Sequence, residues 1–286
     1  MKFSVFTVMT PDLKPKELLT SLKDLGYDGV EWRYHPIPDE VKNKNPSYWG
    51  NNLATITPGS TSEQLEELKA WTTENGLETF SVTPYLKCGD IEGTERVLQN
   101  AQKLGADVIR LGVPPYDRTS NYHDLYNQAL RYLSECEPLC RQYGVKGLVE
   151  THHETIAPSA SLAYRLVSSF NSDHIGVLYD PGNMVIEGHE NYRMGMELLG
   201  PYLAHVHAKN AVWQPERNGS GGETVSWETR WSPVPEGIVN WKEVLKDLKA
   251  VGYDGYIGME DFCGNYETRE ALKFNLEYFR RMVYQL

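Results

Sequence analysis

The sequence predicts an α/β protein, a closed (β/α)8 barrel built as a single domain over residues 1–286. Three observations lead there. Short apolar runs rich in β-branched residues alternate with longer amphipathic segments, and eight such units can be counted. Several amphipathic segments end in a glycine able to take positive φ: Gly26, Gly76, Gly105, Gly144 and Gly252. The last four apolar runs finish in carboxylates or histidines, at the strand ends where such barrels carry their sites.

In chain order the strands are expected at residues 3–8, 29–33, 79–83, 108–113, 147–151, 175–180, 204–208 and 256–260. Helices are expected at 15–25, 62–75, 94–104, 122–143, 159–170, 241–251 and 268–283. The phrase Leu25-Gly26-Tyr27-Asp28-Gly29-Val30 returns as Val251-Gly252-Tyr253-Asp254-Gly255-Tyr256, a recurring way to end a helix, turn and enter a strand. Two segments break the rhythm, 34–60 and 210–237, both rich in Pro, Gly, Asn, Ser and Trp. Each follows a strand end, so they read as lids or substrate walls rather than linkers. Their tryptophans, Trp49, Trp213, Trp227 and Trp231, pin the loops in the first reading and stack on a ring in the second.

A hydrophobic fraction of 40% and a charged fraction of 23% are those of an ordinary globular protein with a sizeable core. A formal net charge of −11 argues against nucleic acid or an anionic membrane as partner, since both need clustered Lys and Arg. The four cysteines make no metal framework; Cys136 and Cys140 read as neighbours on one helix face. Reduced thiols fit a reducing compartment. The first residues lack a secretory pattern and no apolar run could span a bilayer, so a cytoplasmic location is expected.

The chemistry concentrates in four strand ends: Val149-Glu150-Thr151-His152, Tyr179-Asp180, His205-Val206-His207-Ala208-Lys209 and Met259-Glu260. Side chains alternate across a strand, so Glu150 and His152 share a face, as do His205, His207 and Lys209. Facing inward, Glu150, Asp180, His207 and Glu260 would converge at one rim as a mostly oxygen ligand set for one divalent metal ion, Mn²⁺, Mg²⁺, Co²⁺ or Zn²⁺. The plainer alternative is that each acid caps a helix or pairs with Arg. Four on consecutive strands favour a shared site.

These stretches, with Asp180-Pro181-Gly182-Asn183 and Gly258-Met259-Glu260-Asp261-Phe262, resemble the xylose-isomerase-like TIM-barrel superfamily of sugar phosphate isomerases and epimerases along almost the whole chain. The resemblance implies that Glu150, Asp180, His207 and Glu260 hold one metal, with Mn²⁺ the first choice. It also implies that Glu150 and Glu260 are the catalytic pair, one removing a proton beside a carbonyl through a metal-stabilised enediolate and the other returning it. The substrate would be a small carbohydrate-like keto-sugar or polyol. Relatives are usually dimers or tetramers, so a homo-oligomer is compatible with the reading. One departure is Asn183, where many ketose epimerases carry histidine; an amide bonds substrate hydroxyls but shuttles no proton.

A second implied activity is a lyase, since Glu150-Thr151-His152 and Arg110 also resemble the metal-dependent 3-dehydroshikimate dehydratases, and elimination on a 3-keto-sugar would use the same site. Among expected substrate-binding residues, Arg110 either binds an oxyanion or pairs with a carboxylate such as Glu31. Glu31 carries the matching ambiguity. His152 and Asn183 would contact substrate, and Lys209 either stabilises an oxyanion or is simply solvated. His153 reads as a satisfied loop histidine, and Tyr85, Tyr116 and His35 as rim contacts. The superfamily's abasic-site endonucleases need extra histidines and a surface suited to DNA, which this acidic chain lacks. A non-catalytic binding barrel is the remaining class. No Gly-x-Gly-x-x-Gly loop supports a phosphorylated substrate.

Overall fold

The backbone alternates strand and helix: β1 (Lys2–Phe6), α1 (Pro15–Leu25), β2 (Gly29–Tyr34), α2 (Ser62–Glu74), β3 (Glu78–Pro84), α3 (Ile91–Leu104), β4 (Val108–Arg110) and α4 (Tyr122–Tyr143). It continues with β5 (Lys146–Glu150), α5 (Ala160–Val167), β6 (Ile175–Tyr179), α6 (Pro181–Ile186), α7 (Tyr192–Leu199), β7 (Leu203–Ala208), β8 (Asn210–Pro215) and β9 (Trp227–Ser232). It ends with α8 (Trp241–Ala250), β10 (Tyr256–Met259) and α9 (Thr268–Tyr284). The computed structural model describes residues 1–216 and 225–286. Eight strands are parallel and close into a barrel in the order β1-β10-β7-β6-β5-β4-β3-β2.

Local chemistry sets the element ends. The two repeated phrases fold alike: Gly26 (φ 93°) and Gly252 (φ 78°) take the left-handed conformation. The next amide, Tyr27 or Tyr253, then donates back to Leu22 or Leu248 at 2.9 Å in each case. α2 opens with a capping box between Thr61 and Gln64. α3 begins at Ile91, three residues before its expected start, because Asp90 accepts from the Gly93 amide and so caps it there.

The structure corrects three expectations. β4 stops at Arg110 rather than continuing to 113. The stretch between β6 and β7 carries α6 and α7, neither of which was foreseen; α6 opens on Pro-Gly-Asn, a turn signature, and helix formation there depends on Asp180 capping Asn183. The 210–237 segment is no plain loop, since β8 and β9 pair antiparallel from Asn210↔Ser232 to Pro215↔Trp227. Residues 217–224 of that segment lie outside the described residues. Its aromatics divide: Trp213 pins β8 by donating to the Val185 carbonyl at 2.8 Å, while Trp227 is exposed.

Apolar residues fill two regions. A small cluster, Phe80, Val108, Leu148, Leu178 and Tyr256, comes from strands alone, and a large one packs helices onto the sheet. Trp241 belongs to the second: it is 1% exposed, meets Phe279 at 4.9 Å between centroids, and donates to the Lys209 carbonyl at 3.3 Å. Trp241→Ala should therefore cost about 3–5 kcal/mol of unfolding free energy. A lowered urea midpoint will show it, and an unchanged one would contradict this account of the helix layer. No helix among the described residues is long and apolar enough to cross a membrane.

Candidate metal centre and cavity

Alternation along the inward faces carries the polypeptide from apolar to polar towards the strand C-termini. Leu148 is followed by Glu150, Leu178 by Asp180, Val108 by Arg110 and Tyr256 by Gly258 and then Glu260. β7 supplies His205, His207 and, just beyond its end, Lys209. Gly258 is needed for closeness: a Cβ there would lie 3.0 Å from the His205 ring and 3.1 Å from the Glu31 carboxylate.

Glu150, Asp180, His207 and Glu260 are brought together with ligand atoms within 4.8 Å of one another, all buried. His207 Nδ1 faces Glu260 at 3.2 Å, Glu150 at 3.6 Å and Asp180 at 3.8 Å. Among the described residues it has no hydrogen-bond partner, which is rare for a buried ring nitrogen. His207 Nε2 meets Glu31 at 3.0 and 3.1 Å. A carboxylate only accepts, so Nε2 carries a proton there and Nδ1 is the atom turned to the acids. Four buried carboxylates thus gather here: Glu150 contacts Arg110, Asp180 and Glu260 contact Lys209, and Glu31 meets His205 and His207, an excess of acids over these two permanent cations that a divalent ion would balance. Donor set and orphaned nitrogen both fit a metal held by Glu150, Asp180, His207 and Glu260.

Electrostatics follow contact. Burial would raise Glu150, but the Arg110 guanidinium at 2.6 Å, with His207, holds it well below the usual carboxylate range. Burial would likewise raise Glu260, and Lys209 and His207 hold it low. Asp180 is pushed up to about 6 by burial, against Lys209 and with the push of Glu260 and Glu150. His207 is raised despite burial by Glu31 and Glu260. A metal bound at Nδ1 would displace a proton there.

Several expected residues take unexpected places. Arg110 does not pair with Glu31; it pairs with Glu150 and donates to the Pro84 carbonyl, while still lining the cavity. Glu31, expected to touch substrate, is fully buried beneath the centre, accepting from Thr83, His205 and His207. Lys209 is not solvated: it is buried against Asp180 at 2.8 Å and Glu260, with its ammonium 5.1 Å from the Trp231 ring. Asn183 turns its amide nitrogen to Asp180 at 3.0 Å and Glu150 at 3.2 Å, bracing both. His153 is not satisfied; its buried Nδ1 lacks a partner among the described residues, and burial pushes the ring down to about 4.

A cavity of about 520 Å³ opens above these groups, lined by Glu150, His152, His153, Asn183, Lys209 and Glu260 on the polar side. Trp49, Tyr85, Trp231 and Phe262 form the aromatic side. Tyr116 and His35 lie outside it. His205 and Thr83 were missed as supports of the centre. The His205-x-His207 spacing was a signal for the first; nothing marked the second.

Because Glu31 sets the His207 ring, Glu31→Gln should weaken binding of Mn²⁺ about 10–100-fold. Calorimetric titration will read it, and an unchanged affinity would remove Glu31 from the support of the centre.

Fold and cluster define a parallel α/β barrel with a candidate metal centre at its C-terminal rim. The chain belongs to the xylose isomerase-like TIM barrel family, whose model matches residues 19–282. Among solved structures it is similar to a zinc-bound IOLI protein (TM-score 0.74, 16% identity, 100% of this chain and 99% of that one). It is also similar to a D-psicose 3-epimerase from Clostridium cellulolyticum (0.73, 17%, 99% of each). A third is the probable 3-DHS dehydratase of petrobactin synthesis from Bacillus anthracis (0.71, 17%, 98% and 99%). A protein of uncharacterized function from Methanocaldococcus jannaschii is 27% identical over 192 residues, 64% of this chain; the match spans 59% of that relative's length.

Proposed function

We propose that this protein is a divalent-metal-dependent isomerase or epimerase of a keto-sugar or related polyol. The carrying observation is the pair Glu150 and Glu260, both lining one cavity and both against the orphaned His207 Nδ1. A divalent cation held by the four-residue set would polarise a substrate carbonyl and acidify the neighbouring C–H. Glu150, ionised through Arg110, accepts a proton; its Oε1 faces His207 and Asn183, so Oε2 takes it once Arg110 turns to the substrate. Glu260 is the second acid–base group; Lys209 keeps it charged in the free site, and the Lys209 ammonium in contact with it would supply the proton that it returns. Asn183 acts through the carboxylates it braces, and the aromatic wall excludes water. The similar epimerases support this reading, and the acidic chain supports a small carbohydrate-like substrate over nucleic acid.

A lyase is the second reading, favoured by Arg110 in the cavity wall and by the similar dehydratase. Metal analysis, followed by NMR of the Mn²⁺-loaded protein in D₂O with ketoses, inosose and 3-dehydroshikimate, separates them. Deuterium beside a carbonyl with an isomeric product is expected. Loss of water moves the assignment to the lyase, and neither exchange nor elimination on any of these substrates overturns both.

A further inference from the structure

Three largely buried cations stand at the C-terminal end of this barrel, and among the described residues only two have anions. Arg110 sits on Glu150 and Lys209 on Asp180 and Glu260. Arg33, the last inward residue of β2 before Tyr34, is 1% exposed and forms no ion pair among the described residues. Its Nη1 donates to Thr55 Oγ1 at 2.7 Å and its Nη2 to the Trp49 carbonyl at a long 3.3 Å, both neutral acceptors. Its Nε is buried with no acceptor among the described residues. The side-on edge formed by Nε and Nη2, the edge that grips a carboxylate or phosphate with two parallel bonds, therefore meets no anion among the described residues, only the Trp49 carbonyl and the neighbouring Tyr85 side chain.

Arg33 does not itself line the cavity; two residues that do, Tyr85 and Trp49, lie against it. The Tyr85 ring lies 5.5 Å from the Arg33 guanidinium and 4.8 Å from that of Arg110. Tyr85 and Trp49, whose rings pack edge to face on each other, both line the cavity and are the exposed part of its aromatic side. Bracing the 35–60 loop would need only a neutral donor, and a neutral donor is far cheaper to bury than a guanidinium without a counter-ion.

We propose that Arg33 is the anion receptor of this site: its ligand carries an oxyanion, carboxylate or phosphate, that displaces the Trp49 carbonyl and takes the Nε–Nη2 edge. This rests on reading the cavity as a substrate site. It adds to that reading a substrate class, an anionic hydroxylated carbonyl compound, and a residue outside the metal set that selects it.

The test is binding to the Mn²⁺-loaded protein, read by calorimetry and by tryptophan fluorescence, for two matched pairs. These are 3-dehydroshikimate against its methyl ester, and D-fructose 6-phosphate against D-fructose. At least one charged member should bind about tenfold or more tighter than its neutral partner, and Arg33→Gln should erase that preference. Discrimination within the first pair alone identifies a carboxylate, and within the second alone a phosphate. Arg33→Lys, which keeps the charge but loses the fork, should retain part of the preference and serves if the glutamine variant does not fold. Equal binding within both pairs, or a preference that survives Arg33→Gln, overturns the proposal. Binding needs no turnover, so absence of deuterium exchange would leave this result standing, and failure here would leave the exchange experiment intact.

Discussion

Glu150→Gln will reduce turnover by about 10²–10⁴-fold while the barrel stays folded, the loss typical of removing a positioned general base. Glutamine keeps the volume and an oxygen that can accept from Arg110, so β5 and its neighbours retain their packing. What disappears is the capacity to take a proton, together with the negative charge that holds Arg110 in the cavity wall. Steady-state assay with circular dichroism checks both halves. Wild-type turnover in a folded variant would remove Glu150 from the mechanism.

His207→Ala will lower Mn²⁺ affinity at the candidate centre by more than the roughly 10–100-fold expected for a residue behind it. Its Nδ1 is the only nitrogen in the four-residue ligand set and faces all three carboxylates, at 3.2, 3.6 and 3.8 Å. The substitution also takes from Glu31 one of its two histidine partners, leaving His205 and Thr83. Elemental analysis after gel filtration reads the result. Unchanged occupancy would mean that the acids alone hold the ion, or that it sits elsewhere.

Much of the barrel was legible because its signals are local. A helix that ends at Leu25 or Ala250 needs only its own periodicity and a nearby glycine to declare itself. The same holds for the site: Glu150, Asp180, His207 and Glu260 stand out because each lies at the end of an apolar run. α6 was hidden because Pro181-Gly182-Asn183 spells a turn unless Asp180 is held where it can cap. The β8–β9 ladder was hidden because its pairing joins two segments whose polar, proline-containing composition is that of a loop.

The sequence by itself determined that eight strand–helix units exist, which side of each strand carries chemistry, and at which end of the strands the acids and histidines gather. It could not determine who touches whom. Arg110 was open to a substrate oxyanion or to a carboxylate such as Glu31, and the register that sets Arg110 opposite Leu148 places the guanidinium beside Glu150 at the rim. Glu31 pairs in register with Ser81, deeper in the barrel, where His205 and His207 reach it and Arg110 does not. The same stagger leaves Arg33 buried without an anion among the described residues. Stagger between strands is a property of the closed sheet, fixed by how eight twisted strands meet and by the helix packing outside them, and no single strand carries it in its own residues.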